Sequence, residues 1–245
     1  MALRELNLNM LLGGPVLALP MQEGAGAIAH DISGFGNDGI FGAGAAAPSW
    51  VRLPSGLWYL DFDGTDDSVS CGTDASLRTQ NVTVECWLYV PTLPSAIKYI
   101  MGNGHRQNGW KGYTLTIEAN NKPSFLIAAD ASFQGLTAGN VILVDTWYHV
   151  VGATDADYLY IYVNGLQAAA PIGRTITTMT WAYEFNLGEQ PVPGYRIYDF
   201  NGGIALPRVY NRALSAAEIS NNYNRAKHYF SVFNGNILAR LLALR

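Results

Sequence analysis

Two short stretches gather oxygen donors among glycines. Asp31, Asn37 and Asp38 fall between residues 31 and 39, and Asp63, Asp66 and Asp67 fall in Asp63-Gly64-Thr65-Asp66-Asp67. Carboxylate and amide oxygens at this density suit a hard cation such as calcium, provided that about six to eight oxygens converge. The same residue types also serve turns, because their side chains bond the local backbone and tolerate left-handed conformations. Both readings stand at the level of sequence.

Aromatic residues offer a second chemistry. Tyr158, Tyr160 and Tyr162 alternate with aliphatic residues, so in a strand they share the face opposite Leu159, Ile161 and Val163. The same rule places Trp87 and Tyr89 opposite Val84, Cys86 and Leu88. Trp110 sits beside a Gly- and Asn-rich run, 103–109. Exposed aromatic faces ringed by polar groups suit sugar rings and protein partners; packing beneath loops, or in cross-strand pairs, is the competing reading.

Catalytic chemistry finds less support. A retaining glycosidase needs two carboxylates about 5–5.5 Å apart. Glu85 and Glu118 each lack an acidic neighbour two or four residues along. His30, His105, His149 and His228 are scattered, and no nucleophile elbow or phosphate loop occurs. His149 lies inside a strand-like block and reads as structural.

The elements that must position these residues are short strands. Residues 82–90 alternate strictly and stop at Pro91; 112–117 alternate and stop at Asn120-Asn121; 147–153 form another strand. Residues 158–163 close on Asn164-Gly165, the signal of a tight hairpin. Residues 204–210 read as a late strand that Pro207 restricts to an edge, an end or a bulge. Helix is scarce. Ser215 and Glu218 have capping-box spacing before a short helix at 214–219, and 236–245 carry an apolar stripe of Ile237, Leu238, Leu241 and Leu242.

Composition fits a large all-β chain. Of 245 residues 49% are hydrophobic and 14% charged, enough apolar material for one large core. The net charge of −4 comes with no basic cluster, which argues against nucleic acid. No apolar run is long enough to span a bilayer. Residues 10–19 are apolar but follow a poor basic flank, so no secretion signal is expected. Cys71 and Cys86 read either as a cross-sheet disulfide or as two buried thiols.

The order of blocks resembles the laminin-G-like, concanavalin A-like lectin/glucanase family. The blocks are 17–39, 60–70 (LDFDGTDDSVS), 82–90 with its Trp87, Trp147 to Gly152, Tyr160 to Gly165, and 202–219 (GGIALPRVYNRALSAAEI). The resemblance implies an all-β, two-sheet antiparallel jelly-roll sandwich with a short helix after the closing strand. The expected division is a sandwich over 1–220, with a lead-in at 1–15, and a helical docking extension over 221–245. The resemblance also implies calcium held by early-loop oxygens and an acidic residue of the closing strand. That last place is Ala205 here.

Function follows from these readings as an expectation. The chain is expected to be a non-enzymatic binding or structural domain: a virion surface, capsid-decoration or tail-associated protein of a phage, with host-glycan attachment. It would sit on a virion or extracellular surface. Its partners would be other subunits of an assembly, copies of itself included, docked through Ile237, Leu238, Leu241 and Leu242. The alternative is a calcium-assisted, lectin-like adhesion module.

Overall fold

A computed structural model of the chain describes residues 13–104, 111–130, 132–181, 183–190 and 198–234. In chain order the early strands are β1 (Leu17–Ala18), β2 (Ile28–Ala29), β3 (Gly39–Phe41), β4 (Ser49–Arg52), β5 (Trp58–Asp63), β6 (Val69–Ser70), β7 (Val82–Tyr89) and β8 (Lys98–Gly102). The later strands are β9 (Gly112–Ile117), β10 (Pro123–Ala129), β11 (Ser132–Thr137), β12 (Trp147–Thr154), β13 (Tyr158–Val163), β14 (Leu166–Gln167), β15 (Ile172–Gly173), β16 (Asn186–Leu187) and β17 (Asn201–Tyr210). One long helix, α1 (Ala216–Asn234), comes after the last strand.

The strands form two antiparallel sheets, the sandwich expected from the sequence. One runs β14-β13-β12-β7-β17-β5-β4, with β1 beside β17 and β15 beside β13; the other runs β11-β10-β9-β8-β16-β6-β3-β2. Alternation drives the packing. Val82, Val84, Cys86 and Leu88 of β7, and Leu159, Ile161 and Val163 of β13, enter the core between the sheets with Tyr113, Leu115, Phe125 and Ile127 from the facing sheet. Gly152 of β12 is required by this fit, since a Cβ there would collide with the Phe125 ring. Cys71 and Cys86 are unbonded and buried, and burial pushes both thiols up.

A bulge in β17 divides the strand into two halves with different neighbours. The register shifts between Ala205 and Arg208, and Leu206 takes a positive φ of 50°. Pro207 therefore sits in a bulge inside a central strand, where its missing N–H costs no ladder bond. Before the bulge β17 pairs with β5; beyond it, with β1.

The helix begins as the spacing foretells. Ser215 Oγ accepts the Glu218 N–H at 3.3 Å, and Glu218 accepts the Ser215 N–H at 2.9 Å. It then runs on to Asn234, so the boundary drawn at 220 falls inside one continuous helix. Its apolar side lies on the outer face of the β7–β12–β17 sheet and adds a third layer. No helix among the described residues is long and apolar enough to cross a membrane.

Candidate functional site

The outer face of this sheet carries most of the aromatic residues singled out from the sequence, and α1 covers its centre. Trp87 is 3% exposed. Its ring stacks on Phe230 at 4.0 Å and on Tyr223 at 5.6 Å between centroids. Tyr162 is buried with Val151, Tyr210 and Ile219. The expectation of an open aromatic face is corrected at these two positions: the chain's own helix buries them, because large aromatic surface is most stable away from water. Tyr89 is half-buried and donates its hydroxyl to Asp145 at 2.7 Å. Tyr160 donates to Asp155 at 2.8 Å, and Tyr158, 47% exposed, lies open beside it. Trp110 lies outside the described residues, as do Ile237, Leu238, Leu241 and Leu242.

Beneath the N-terminal half of α1 lies a buried polar knot. Glu85 projects from β7 on the same face as Trp87 and is 1% exposed. It accepts from Arg208 Nη1 at 2.8 Å, from Asn222 Nδ2 at 3.0 Å and from the Tyr210 hydroxyl at 3.4 Å. His149 Nε2 lies 3.3 Å away on the neighbouring strand. Burial alone would raise the Glu85 pKa; the contacts with His149 and Arg208 outweigh it and hold the group down at about 2. A buried charge is costly unless it is paired and bonded in this way. His149 is structural, as its place in a strand block suggests, although its Nδ1 is buried with no hydrogen-bond partner among the described residues.

The two acidic loops behave differently. Asp31 spends its carboxylate on the chain: Oδ1 accepts the Ala18 and Ser33 N–H groups, both at 2.9 Å, and Oδ2 accepts the Ser33 hydroxyl at 2.6 Å and the Asn37 N–H at 2.9 Å. Asp38 accepts the Asp31 N–H, and Asn37 donates to Val16 and Ser76. Asp31, Asn37 and Asp38 thus all take part in the bonding of this turn. At the end of β5, by contrast, Asp63, Asp66 and Asp67 each offer an oxygen within 4.8 Å of the others, a group that could hold a metal ion. Asp63 Oδ1 takes the Thr65 N–H and Asp67 Oδ2 takes the Asp63 N–H, each at 2.7 Å. Among the described residues, Asp63 Oδ2 and Asp67 Oδ1 accept no hydrogen bond. Desolvation raises the Asp67 pKa, and the charges of Asp63, Asp66 and Asp61 add to the rise.

The six candidate calcium ligands do not form one site. Asp63 is opposite Asn201 at the start of β17, whereas Asp31 caps Ala18, which is opposite Arg208. The strand between separates the loops by roughly 20 Å. Beside the acidic group a groove of about 210 Å³ is lined by Gly64, Thr92, Ser95, Lys98 and Asn201 among others. Asn201 Nδ2 ties the two together through a bond to the Asp63 carbonyl at 2.9 Å.

A family profile described as the concanavalin A-like lectin/glucanases superfamily matches residues 63–220. The chain belongs to this superfamily. No curated protein matches its sequence. Among solved structures, the binding domain of Paraclostridial mosquitocidal protein 1 is similar, with a TM-score of 0.67 and 13% identity over 86% of this chain and 52% of that one. The botulinum neurotoxin serotype G binding domain gives 0.64 and 14%, over 86% and 50%. A Trypanosoma rangeli sialidase in complex with 2,3-difluorosialic acid gives 0.62 and 19%, over 84% and 32%. The chain thus spans about half the length of the two toxin domains and about a third of the sialidase chain. At these identities the likeness is one of fold.

Two features of this superfamily member escape the sequence. Ala205, where the resemblance leads one to expect an acidic residue, is buried in the apolar cluster with Trp87, Trp147, Ala226 and Phe230. A carboxylate there would face the helix rather than the rim. Arg208, Tyr210 and Asn222 join Glu85 only through strand pairing and helix docking; the single available signal was the i, i+2 alternation of Arg208 and Tyr210.

Proposed function

We propose that this chain is a non-enzymatic binding domain that attaches to glycans, with calcium assisting at the Asp63–Asp67 rim. The observation that carries the reading is the acidic group at a strand end, with Asp63 exposed and Asp67 buried behind it, beside a groove in a sandwich of a lectin-type superfamily. Three carboxylates supply part of the oxygen shell that calcium takes; water and ligand hydroxyls would supply the rest. A ligand oxygen bound to the ion would be fixed by the groove's Asn201, Ser95 and Lys98. The non-enzymatic part rests on Glu85, which is locked under α1 and out of reach of a substrate. A glycan array of the purified protein, with calcium and again with chelator, tests the reading. Binding that chelator or Asp63→Asn weakens supports it; silence in both conditions overturns it.

A second reading keeps the chain as a subunit of a larger assembly, such as a phage virion surface or decoration protein. It is favoured by Ile28 and Ile40, exposed and directly opposite each other on the edge hairpin of the second sheet. Monomeric behaviour of the full chain at high concentration, with Ile40→Glu leaving sedimentation unchanged, would count against self-assembly.

A further inference from the structure

We infer that the cavity between α1 and the turn at Ile32–Ser33 is a separate binding site that takes an acidic saccharide unit, its carboxylate held by Arg208 and Arg225. The inference rests on the glycan reading above but concerns the opposite end of the sheet, beyond the bulge in β17.

The cavity is about 220 Å³ and is lined by Arg208, Tyr210, Asn222, Arg225, Ser33 and Ile32, with smaller apolar contributions beside them. Its two guanidinium residues come from different layers, Arg208 from the sheet and Arg225 from the helix. Arg208 is fixed from behind. Its Nη1 donates to the buried Glu85, which also receives Asn222 and Tyr210. That nitrogen is tied to Glu85, the Tyr210 hydroxyl also bonds the guanidinium, and the side chain is 30% exposed, so only the part of the fork that faces the cavity meets a ligand. A guanidinium fork positioned by bonds from behind suits a planar carboxylate, which it meets with two parallel N–H donors.

Charge points the same way. Arg225 is exposed and takes part in no ion pair among the described residues. The carboxylates of the flanking elements are committed elsewhere: Asp31 to its own turn, Glu218 to Arg212 at 2.7 Å, and Glu85 to the knot behind Arg208. No carboxylate lines the cavity among the described residues. An anion entering it meets Arg225 unopposed and Arg208 already oriented.

The remaining groups favour a sugar over a bare anion. Asn222 uses Nδ2 on Glu85 and Tyr210, and among the described residues its Oδ1 accepts from no side chain, so it can accept from a hydroxyl. Ile32, 59% exposed, supplies an apolar wall for the C–H face of a ring. The volume lies below the roughly 300–1,000 Å³ of sites for drug-sized ligands, so it holds about one sugar residue rather than a chain.

The test is calorimetric titration of the full chain with 3′-sialyllactose, glucuronic acid, lactose and inorganic sulfate. The acidic sugars should bind at least about tenfold more tightly than lactose or sulfate, and more weakly as salt rises. Arg208→Lys risks the buried knot, so the informative variant is the exposed Arg225→Glu, with its melting curve as the check on folding. It should lower affinity for the acidic sugars by about tenfold, while Lys122→Glu, the same charge reversal in the turn between β9 and β10, leaves them unchanged. Equal binding of lactose, equal binding of sulfate, or an unaffected Arg225→Glu protein overturns the site. If acidic and neutral glycans bind alike through the Asp63 rim, only this inference fails. If no saccharide binds at all, the glycan reading fails with it.

Discussion

Glu85 and Asp67 are both buried carboxylates, and their surroundings push them in opposite directions. Glu85 meets a guanidinium, an imidazole, an amide and a phenol, and its pKa falls to about 2. Asp67 meets one backbone N–H and three other carboxylates, and its pKa rises. The lesson is one of satisfaction. A carboxylate whose charge is already matched by the protein is part of the fold, whereas one surrounded by like charge has a use for an added cation. Asp31 is a third case, fully committed to its turn.

The largest effect should come from breaking the satisfied member. Glu85→Ala strands Arg208 and releases Asn222, and should cost about 3–5 kcal/mol in urea unfolding, the range for removing one partner of a buried ion pair. A loss below about 1 kcal/mol would mean that the knot does not hold α1 to the sheet. Next is Asp31→Ala, which takes the acceptor from three backbone N–H groups, those of Ala18, Ser33 and Asn37, and should cost about 2 kcal/mol. Asp66→Ala, at the open rim, should change stability by less than about 0.5 kcal/mol without metal.

Calcium should sharpen the contrast. At about tenfold excess over its dissociation constant it should stabilise the protein by about 1.4 kcal/mol, visible as a higher melting temperature. Asp63→Asn should abolish that gain, and Asp31→Asn should not. The pH dependence has opposite signs at the two sites. Glu85, depressed in the folded state, gives stability that is present above its unfolded pKa and lost as pH falls from about 4.5 toward 2. Asp67, raised in the folded state, binds protons more readily when folded, so its part of the stability falls as pH rises through its folded pKa. Melting curves from about pH 2 to 6 should show Glu85→Gln flattening the acid limb. The smallest effect is expected for Asp67→Asn in chelator: a slight rise in melting temperature near neutral pH, because the amide keeps the bond to the Asp63 N–H and sheds the repulsion. A rise in calcium as large as that of the unaltered protein would remove the rim as a metal site.

Much of the sandwich is legible in the residues. Strict alternation in 82–89 and 158–163 decides which side chains enter the core, and Asn164-Gly165 makes the hairpin because both residues take positive φ, 52° and 76°. Ser215 and Glu218 foretell the start of α1 but not its length. Beyond the cap, Tyr223, Ala226 and Phe230 follow Ile219 at helical spacing, and the segment stays helical because these three dock on Trp87 and Trp147. For the same reason the fate of the aromatic face was hidden. Alternation tells that Trp87 points away from the core, not that another element waits there.

What the sequence determined by itself was local: strand faces, turn positions, the helix cap and the order of blocks that marks the superfamily, all set by interactions within a few residues of each other. Only the tertiary structure decided that α1 seals the outer face, that Glu85 draws its partners from three elements, and that the two acidic loops lie at opposite ends of β17. These depend on contacts between residues more than a hundred positions apart, as Glu85 and Asn222 are, whose pairing comes from strand order and packing rather than from spacing along the chain.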